Sequence, residues 1–370
     1  MLVLVLALLK FVLVRAHMPT FVPDDTTLDN PFYIAAVTEK SWGVYGTLDS
    51  AENVVWMSLD GIQGEEMTIS LQKNSDSAVY DLAVWGPGLD NITCTAGWYG
   101  WSSNSANNSN LVYLTRDISE LPQNVQDAIG DEEAFVLLGD AVEPPEYEPF
   151  GVNLYWPIGG CKDIFKENAL YKLALVHSSK AGADRVQFSL GVGMKESFTL
   201  VELILMPFYM VRTFVWGGRS YGEIVPLIFV TIFVTYSLKI GCCIKSTSVP
   251  SFSLYCVWIG ASILMASSAV YLSQYIWCVD KLNADLPDTK WVAIIVHILI
   301  PFIFSILMLL VYNPDQTWSS TKKIGFTIGV LAAGMMMLFL GWQAYIIGPS
   351  LIIIGSFVEF FSKKPKYTLI

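Results

Sequence analysis

Histidine is scarce in this chain, which has 3 histidines in 370 residues, and only His17 and His177 precede the apolar C-terminal third. Hydrolases with a Ser/His/Asp or Cys/His arrangement need a histidine beside the nucleophile and a further residue that orients it. His17 follows an apolar leader, so the chain offers no obvious set of this kind. The sequence therefore argues against ordinary hydrolase chemistry.

Basic side chains are also scarce in the first half of the chain. Residues 17–197 include 26 acidic and 9 basic side chains. Proteins that bind DNA or RNA neutralise phosphates with clustered lysine and arginine. We therefore expect residues 17–197 to bind no nucleic acid. Their charge is typical of a soluble, acidic protein surface.

Charged residues make up only 15% of the chain, whereas hydrophobic residues make up 53%, as in a membrane protein with several spans. Long apolar runs occupy residues 222–243, 252–279, 291–312 and 324–361. Each run exceeds the ~20 residues that a helix needs to cross the bilayer. The last run is long enough for two spans, and glycines and a proline interrupt it at 341–349. We therefore predict a helical bundle of about five spans at residues 221–362.

The distribution of lysine and arginine gives an orientation, because these residues favour the cytoplasmic side of spans. With five spans and residues 17–197 outside, seven lysines lie inside and four basic residues lie outside. The lysines on the inner side are Lys239, Lys245, Lys322, Lys323, Lys363, Lys364 and Lys366. A single span at 324–361 would reverse this bias. The sequence thus predicts a cytoplasmic tail at 363–370.

Residues 198–216 form one more apolar stretch, which is about long enough to span a bilayer. It contains Glu202, Pro207 and Arg212, and glycines follow it directly. Counting it as a span would move most lysines to the outside, so we predict a helix lying in the membrane interface, with a junction, at 198–220. A further span is the alternative.

The first 16 residues resemble a secretory signal peptide, because an apolar core is followed by Val-Arg-Ala. Cleavage after residue 16 would leave His17 at the new N-terminus, whereas a retained anchor is the alternative. Two glycosylation sequons follow, at Asn91 and Asn107. Together these features predict a multi-pass glycoprotein of the secretory or endolysosomal system or of the plasma membrane, with a lumenal or extracellular N-terminal domain.

The cysteines fit an oxidising compartment. The chain has 6 cysteines, of which only Cys94 and Cys161 lie within residues 17–197. Two cysteines in an exported domain of this size favour one disulfide bond between them. We therefore predict a disulfide that joins Cys94 to Cys161.

Residues 17–197 alternate between apolar and polar side chains with a period of two, which is the period of half-buried strands. The predicted strands are 42–48, 54–59, 67–71, 79–85, 134–138, 151–155, 170–177 and 185–192. Only 118–129 favours a short helix. Several short strands without long helices between them predict an extracytoplasmic antiparallel β-sandwich, similar to a jelly roll.

Several of these strands resemble a known domain. The matching segments are SWGVYG at 41–46, VVWMSL at 54–59, EEMTISL at 65–71, YDLAVWGPG at 80–88 and YKLAL at 171–175. They are similar to the jelly-roll sandwich of bacterial pre-peptidase C-terminal domains. The resemblance implies a domain that binds carbohydrate or protein, or has a structural role, and that carries no catalytic residues.

Two metal sites are conceivable in the outer domain. A processed N-terminal His17 would offer an α-amine and an imidazole to copper, and His177 could supply a second imidazole, as in lytic polysaccharide monooxygenases. An incidental terminal histidine is the competing interpretation. Four carboxylates at Asp140, Glu143, Glu146 and Glu148 could bind calcium, but their spacing and the prolines among them favour a solvated connector.

Polar residues within the apolar runs are few. Gln274, His297 and Gln343 could line a polar pathway, whereas a histidine that bonds a neighbouring helix is the competing interpretation. The tail ends in Tyr367-Thr368-Leu369-Ile370. This segment resembles the tyrosine-based sorting signal by which clathrin adaptors collect endolysosomal membrane proteins, with Tyr367 and Ile370 as its two anchoring side chains.

These observations lead to one main hypothesis and two alternatives. The main hypothesis is a non-enzymatic membrane receptor or accessory subunit, whose outer β-sandwich binds a ligand or a protein partner. The first alternative is a transporter or channel with a large outer cap. The second is a copper protein that uses His17.

Overall fold

The computed structural model divides the chain into two compact units. The β unit comprises Arg15–Glu148 and Leu154–Thr199, and the helical unit contains Asn153 together with the chain from Leu200 onward. The structure describes residues 18–35, 37, 39–48, 54–74, 80–89, 93–95, 114–115, 117–138, 146–148, 153–177, 186–193, 199–243, 252–282, 291, 293–311, 328, 330, 334 and 347–361.

The β unit is built from two sheets. Sheet A has the strand order β1-β3-β13-β5-β11-β10, and β7 also pairs with β11. Its strands are β1 (Met18–Phe21), β3 (Trp42–Leu48), β5 (Glu66–Lys73), β7 (Thr93–Thr95), β10 (Glu146–Glu148), β11 (Asn153–Ile164) and β13 (Val186–Val192).

Sheet B has the strand order β2-β4-β12-β6-β9-β8. Its strands are β2 (Phe32–Ile34), β4 (Val54–Gly61), β6 (Tyr80–Trp85), β8 (Leu114–Thr115), β9 (Ala134–Leu137) and β12 (Ala169–His177). The apolar inner faces of both sheets contribute to one buried core, so the sheets form a β-sandwich-like arrangement.

The sheets are mixed rather than purely antiparallel, which corrects that part of the prediction. β1 runs parallel to β3, and β2 runs parallel to β4. The reason lies in the path of the chain, which leaves sheet A after β1, contributes β2 to sheet B and then returns as β3. Because the connection from β1 to β3 passes through the other sheet, β3 can lie beside β1 and still run in the same direction. The jelly-roll topology stays a prediction.

The alternation of apolar and polar residues in the sequence predicted the positions of most of the long strands. β3 matches its predicted limits, and β4, β5, β6, β9, β12 and β13 differ from theirs by only a few residues. β11 is much longer than predicted, because it continues to Ile164 through a register shift near Pro157. The predicted helix is shorter, since α1 (Gln123–Ile129) begins only after Pro122.

The outer face of sheet B is covered by α1. Val125 and Ile129 of this helix are buried in a cluster with Trp56 and Trp85, whose rings meet edge to face with centroids 6.2 Å apart. Aromatic pairs in this arrangement add to the stabilisation that burial gives. The sandwich therefore has a second, smaller core on this face.

The helical unit is organised around one long helix. Its described helices are α2 (Leu200–Trp216), α3 (Tyr221–Cys243), α4 (Phe252–Leu282), a π-helix (Ala293–Leu299), α5 (Ile300–Val311) and α6 (Ile347–Phe361). α4 packs against α3, the π-helix, α5 and α6. An apolar cluster around the fully buried Trp258 includes Leu264, Phe304 and Ile352 and fills the space between α4, α5 and α6.

α4 and α6 approach each other at their backbones and run antiparallel. A methyl group at Gly260 would lie 2.5 Å from the carbonyl oxygen of Gly348, and one at Gly355 would lie 2.5 Å from that of Ser253. Glycine at these positions removes the side chain that would otherwise hold the helices apart. Because the start of α4 meets the later part of α6, the two helices point in opposite directions.

Two helices, at Tyr221–Gly241 and Phe252–Lys281, are long and apolar enough to cross a membrane, and shorter apolar helices lie at Ile294–Leu310 and Ile347–Val358. The count of five spans therefore stays a prediction. The third predicted span is not a uniform α-helix, since its first part is π-helical. Pro301 has no N–H to donate to the carbonyl of His297 four residues earlier, which favours irregular helix geometry here.

Candidate functional site

A group of described polar side chains meets at the turn between α2 and α3. We call this group the polar clamp, and it consists of Asn153, Gly217, Arg219, Ser273, Gln274 and Lys281. The turn is made by Gly217 and Gly218, and the φ of Gly218 is 112°, a value that favours glycine. The N–H groups of Gly217, Gly218 and Arg219 donate to carbonyls in the last turn of α2, which ends the helix.

Arg219 holds this turn against α4. Its Nη2 donates to Ser273 Oγ at 3.0 Å, and its Nη1 lies 3.4 Å from Gln274 Oε1. On the other side, its Nε donates to Glu223 Oε2 at 2.8 Å. The Arg219 side chain is 7% exposed, whereas the Glu223 side chain is 58% exposed. A nearly buried cation is thus paired with a carboxylate that remains largely in solvent.

A chain of hydrogen bonds leads from Arg219 through Gln274 to Asn153, and in each bond the earlier side chain is the donor. Because a guanidinium has no acceptor, it fixes the Gln274 amide with its oxygen toward Arg219. Gln274 Nε2 then donates to Asn153 Oδ1 at 3.0 Å. Asn153 is 2% exposed, and its Nδ2 has no hydrogen-bond partner within the described part of the chain. The network therefore ends in a buried donor.

A second cation lies on the same side of the turn. Lys281 Nζ donates to the carbonyl of Gly217 at 3.3 Å and lies 4.8 Å from the ring centroid of Trp277. This distance is within the range of a cation–π interaction. The clamp accordingly contains two cationic side chains, and the Glu223 carboxylate beside it is paired with Arg219.

Of the three residues predicted to line a polar pathway, two lie among the described residues, and the pathway itself stays a prediction. The His297 ring lies 5.2 Å from that of Tyr271 on α4, three residues before Gln274, and both His297 and Gln274 are buried. Gln343 lies outside the described residues. Beyond Tyr271, the described polar side chains of the interior include Ser262, Ser268 and Ser305, whose hydroxyls donate to carbonyls of their own helices.

In the β unit, the register brings the two predicted disulfide partners together. Cys161 of β11 pairs directly with Cys94 of the antiparallel strand β7, and Cys161 is fully buried. Directly opposite residues in an antiparallel pair have Cα atoms about 4.5–5.5 Å apart, which is within the range that a disulfide requires. The predicted bond is sterically reasonable on this basis.

His177 lies at the end of β12, opposite Tyr80. Burial lowers the pKa of His177, and a backbone interaction with Leu48 partly offsets this effect. Tyr80 is fully buried and donates to the carbonyl of Gln72, and burial raises its pKa.

The predicted copper partner of His177 lies outside the described residues, but its neighbour Met18 pairs with Trp42 at the other end of β3 from Leu48. Six residues of strand correspond to about 20 Å. The described residues contain no group of three or more His, Cys, Asp or Glu that could hold a metal. The copper site at His17 and His177 therefore stays a prediction that the described residues do not test.

Several other predicted positions lie outside the described residues. These are the signal peptide at 1–16, the sequons at Asn91 and Asn107, the carboxylates Asp140 and Glu143, and the tail residues Tyr367 and Ile370. The backbone at Glu146 and Glu148 forms β10, but their side chains are not described.

Sequence reasoning identified Gln274 and missed the rest of the clamp. A signal was present for Arg219, which stands with two glycines between apolar stretches, and for Lys281, which is two turns from Gln274 on the same helix face. Nothing in the sequence around Asn153 indicated its role, since its hydrogen-bond partner Gln274 is far away in the sequence.

Comparison with known proteins does not assign the chain to a family. No model of a protein family matches the chain, and a search of curated proteins finds no significant match.

Proposed function

We propose that this protein is a non-enzymatic membrane receptor or accessory subunit, in which the β unit binds a ligand or a protein partner and the helical unit anchors it. The observation that carries the proposal is the packing around α4. Trp258 and its apolar neighbours pack between the described helices α4, α5 and α6, and the described serines near them bond to their own helices. Close apolar packing between these helices supports a role in anchoring and assembly.

The membrane placement is supported by apolar side chains that point away from the packed interior. α3 is exposed along most of its length, and Phe229, Phe233 and Leu238 are among its most exposed residues. Its 23 residues correspond to about 35 Å, close to the thickness of the hydrocarbon core. In water such a surface would be a site of aggregation, whereas in a bilayer it contacts lipid.

The antiparallel packing of α4 and α6 supports a five-span arrangement with the tail inside. If α3 enters the membrane from the outer side, α4 begins on the inner side, and the end of α6 lies on that side too. This orientation puts residues 363–370 in the cytoplasm. Tyr367 and Ile370 are then available to a clathrin adaptor as an endolysosomal sorting signal.

The accessory role of the β unit is supported by its resemblance to pre-peptidase C-terminal domains and by the β-sandwich-like arrangement of its sheets. The register that pairs Cys94 with Cys161 agrees with a disulfide formed in an oxidising compartment, where Asn91 and Asn107 would be glycosylated. In this arrangement the β unit faces the lumen or the extracellular space.

The test is mild detergent extraction of the tagged full-length chain from its native cells, followed by determination of the mass and identification of bound proteins. We expect a stoichiometric partner that a chain with an altered β-unit surface loses. Catalytic turnover of a substrate by the purified protein would contradict a non-enzymatic role.

A transporter is the second candidate, because His297 and Tyr271 are buried together one turn from Gln274. Ionisable residues within spans often belong to transport pathways. Flux through the purified protein in liposomes, reduced in His297→Phe and unchanged in the exposed variant Phe302→Leu, would favour this function. Absence of flux for ions and small solutes would exclude it.

A further inference from the structure

We propose that one part of the outer face of sheet B is a docking site for a protein partner, which it receives through a lysine or arginine side chain surrounded by apolar groups. We call this part the open face, and it consists of Tyr33, Asp60, Ile62 and Leu170. The inference rests on the proposed function, because it names the surface and the partner chemistry of a β unit that binds a protein.

The outer face of sheet B is covered by α1 over only part of its area. The covered part contains Trp56 and Trp85. Asp60 follows Trp56 by four residues on β4, so the two side chains point to the same face of the sheet. Leu170 of β12 lies directly opposite Asp60, and both side chains are exposed. The open face is therefore the continuation of the surface that α1 covers.

The apolar side chains of the open face are exposed to solvent. Tyr33 and Leu170 are each 48% exposed, and Ile62, two residues after Asp60, is 46% exposed. Apolar side chains that lie together on a surface and have polar neighbours often mark a site of protein interaction. Tyrosine is also one of the residue types that contribute most to binding at such sites.

The tyrosine and the carboxylate of the open face are joined. Tyr33 Oη donates to Asp60 Oδ2, which keeps the aromatic ring beside the carboxylate. A cation that binds Asp60 would therefore have an aromatic ring within reach, and an ion pair and a cation–π interaction could form together. Both interactions suit an arginine or lysine side chain.

The charge of Asp60 has no cation beside it within the part of the chain that the structure describes. Lys172, two residues after Leu170 on the same face of β12, pairs instead with Glu132, with Nζ 3.5 Å from Oε1. The negative charge of the open face is thus left for a partner to neutralise.

A basic protein surface fits the open face better than a neutral sugar does. Residues 17–197 include 26 acidic and 9 basic side chains, and this charge attracts basic partners over a distance. A docked protein would also exclude water from Asp60, which strengthens its attraction to a cation. A neutral sugar could stack on Tyr33 but would leave the carboxylate charge without a counter-charge.

The experiment uses the purified full-length chain in mild detergent, with a display library of random short peptides as the probe. Enriched peptides are synthesised with and without each lysine or arginine replaced by glutamine, and their dissociation constants are measured. Asp60→Asn removes the charge and keeps the size of the side chain, and Leu170→Ser removes an apolar contact. The matched controls are Glu120→Gln and Leu28→Ser, because both residues are exposed and lie outside the open face.

We expect the enriched peptides to contain a lysine or arginine with apolar neighbours. Asp60→Asn and Leu170→Ser should bind them at least about tenfold more weakly, since each removes a group that contacts the peptide. The two controls should bind as the wild type does. Asp60→Asn combined with replacement of the basic residue of the peptide should cost less than the sum of the two changes, because both remove the same ion pair.

The proposal is overturned if the enriched peptides lack a basic residue, or if Asp60→Asn and Leu170→Ser bind as the wild type does. Binding of neutral glycans that Asp60→Asn abolishes, in the absence of peptide binding, would also overturn it. Size-exclusion chromatography of each variant separates loss of binding from loss of folding. Leu170→Ser keeps the test valid if Asp60→Asn fails to fold.

The native partner separates this inference from the proposed function. A stoichiometric partner that is extracted equally with the wild type, Asp60→Asn and Leu170→Ser contradicts only the assignment of the open face. Extraction of the wild-type chain without any stoichiometric partner contradicts the accessory role itself.

Discussion

His177 links the acidity of the compartment to the stability of the β unit. Burial lowers the pKa of its imidazole below the ordinary value of 6.5, so at acidic pH the unfolded chain binds more protons than the folded chain. The contribution of His177 to stability is therefore complete above that value and is lost as the pH falls through the folded pKa. We expect the melting temperature of the β unit to decrease between about pH 7.5 and 5.0.

The control for this effect is His177→Gln, which should melt with a smaller dependence on pH over the same range. Asp117 does not contribute in this range, since hydrogen bonds from Ser119 lower its pKa below the ordinary value of 3.8. Its contribution is lost only at still lower pH. An unchanged dependence on pH in His177→Gln would show that other groups are responsible.

The disulfide predicted between Cys94 and Cys161 is a second test at the scale of residues. Alkylation of the denatured protein before and after reduction should differ by two labels, while Cys256 and Cys278, which form no disulfide, should react in both samples. Replacement of Cys161 by serine should lower the free energy of unfolding of the β unit by about 2–5 kcal/mol. Equal labelling before and after reduction would contradict the bond.

At this scale the sequence indicated candidate residues but not their partners. Cys94 and Cys161 could be paired because no other cysteine lies in residues 17–197. Asn153 and Gln274 could not be paired from the sequence, because their hydrogen bond depends on how distant parts of the chain fold. Arg219 contributed only to the charge bias, although its buried guanidinium organises the clamp.

At the scale of elements, the contact between α4 and α6 depends on Gly260. In Gly260→Ala the new methyl group would lie 2.5 Å from Gly348 O and 2.8 Å from Ile352 Cγ1, so the helices must move apart. We expect a loss of about 1–3 kcal/mol, as for other overpacked interiors. The measurement is the thermal unfolding of the purified full-length protein.

Gly241→Ala on α3 is the matched control, since a methyl group there meets no atom within 4 Å. Alanine also favours helix over glycine by up to about 1 kcal/mol. This variant should therefore be as stable as the wild type or slightly more stable. If both substitutions had the same effect, close packing of α4 and α6 would not be the cause.

The elements that sequence reasoning located are those long enough to repeat a pattern. β4 has 8 residues, and its buried side chains alternate between two cores, so its period was visible. β2, β7 and β8 have only 2 or 3 residues, which is too few to establish a period. The break between the π-helix and α5 was missed because both segments are equally apolar and only Pro301 marks the change.

At the scale of the whole molecule, the proposed five-span arrangement predicts which loops lie on each side of the membrane. A glycosylation acceptor placed within 283–290, after α4, should be modified, whereas one placed after residue 370 should not. The reason is that α4 and α6 end on opposite sides if both cross the membrane. Modification is read from a change in mass that an endoglycosidase reverses.

An acceptor inserted at 244–251, between α3 and α4, is the internal control and should remain unmodified. Modification at the C-terminus together with modification at 283–290 would indicate an even number of spans. In that case the proposed sorting signal at Tyr367 would lie on the wrong side to meet a clathrin adaptor.

The strand order also has a consequence for how the protein is made. The last two strands of the β unit are central, since β12 lies between β4 and β6 and β13 lies between β3 and β5. β4 and β6 keep an open edge until residue 177 has emerged from the ribosome, and β3 and β5 keep one until residue 192 has emerged, and another polypeptide can pair with such an edge. We expect nascent chains to need a chaperone during this interval, and slow elongation after β6 to prolong that dependence.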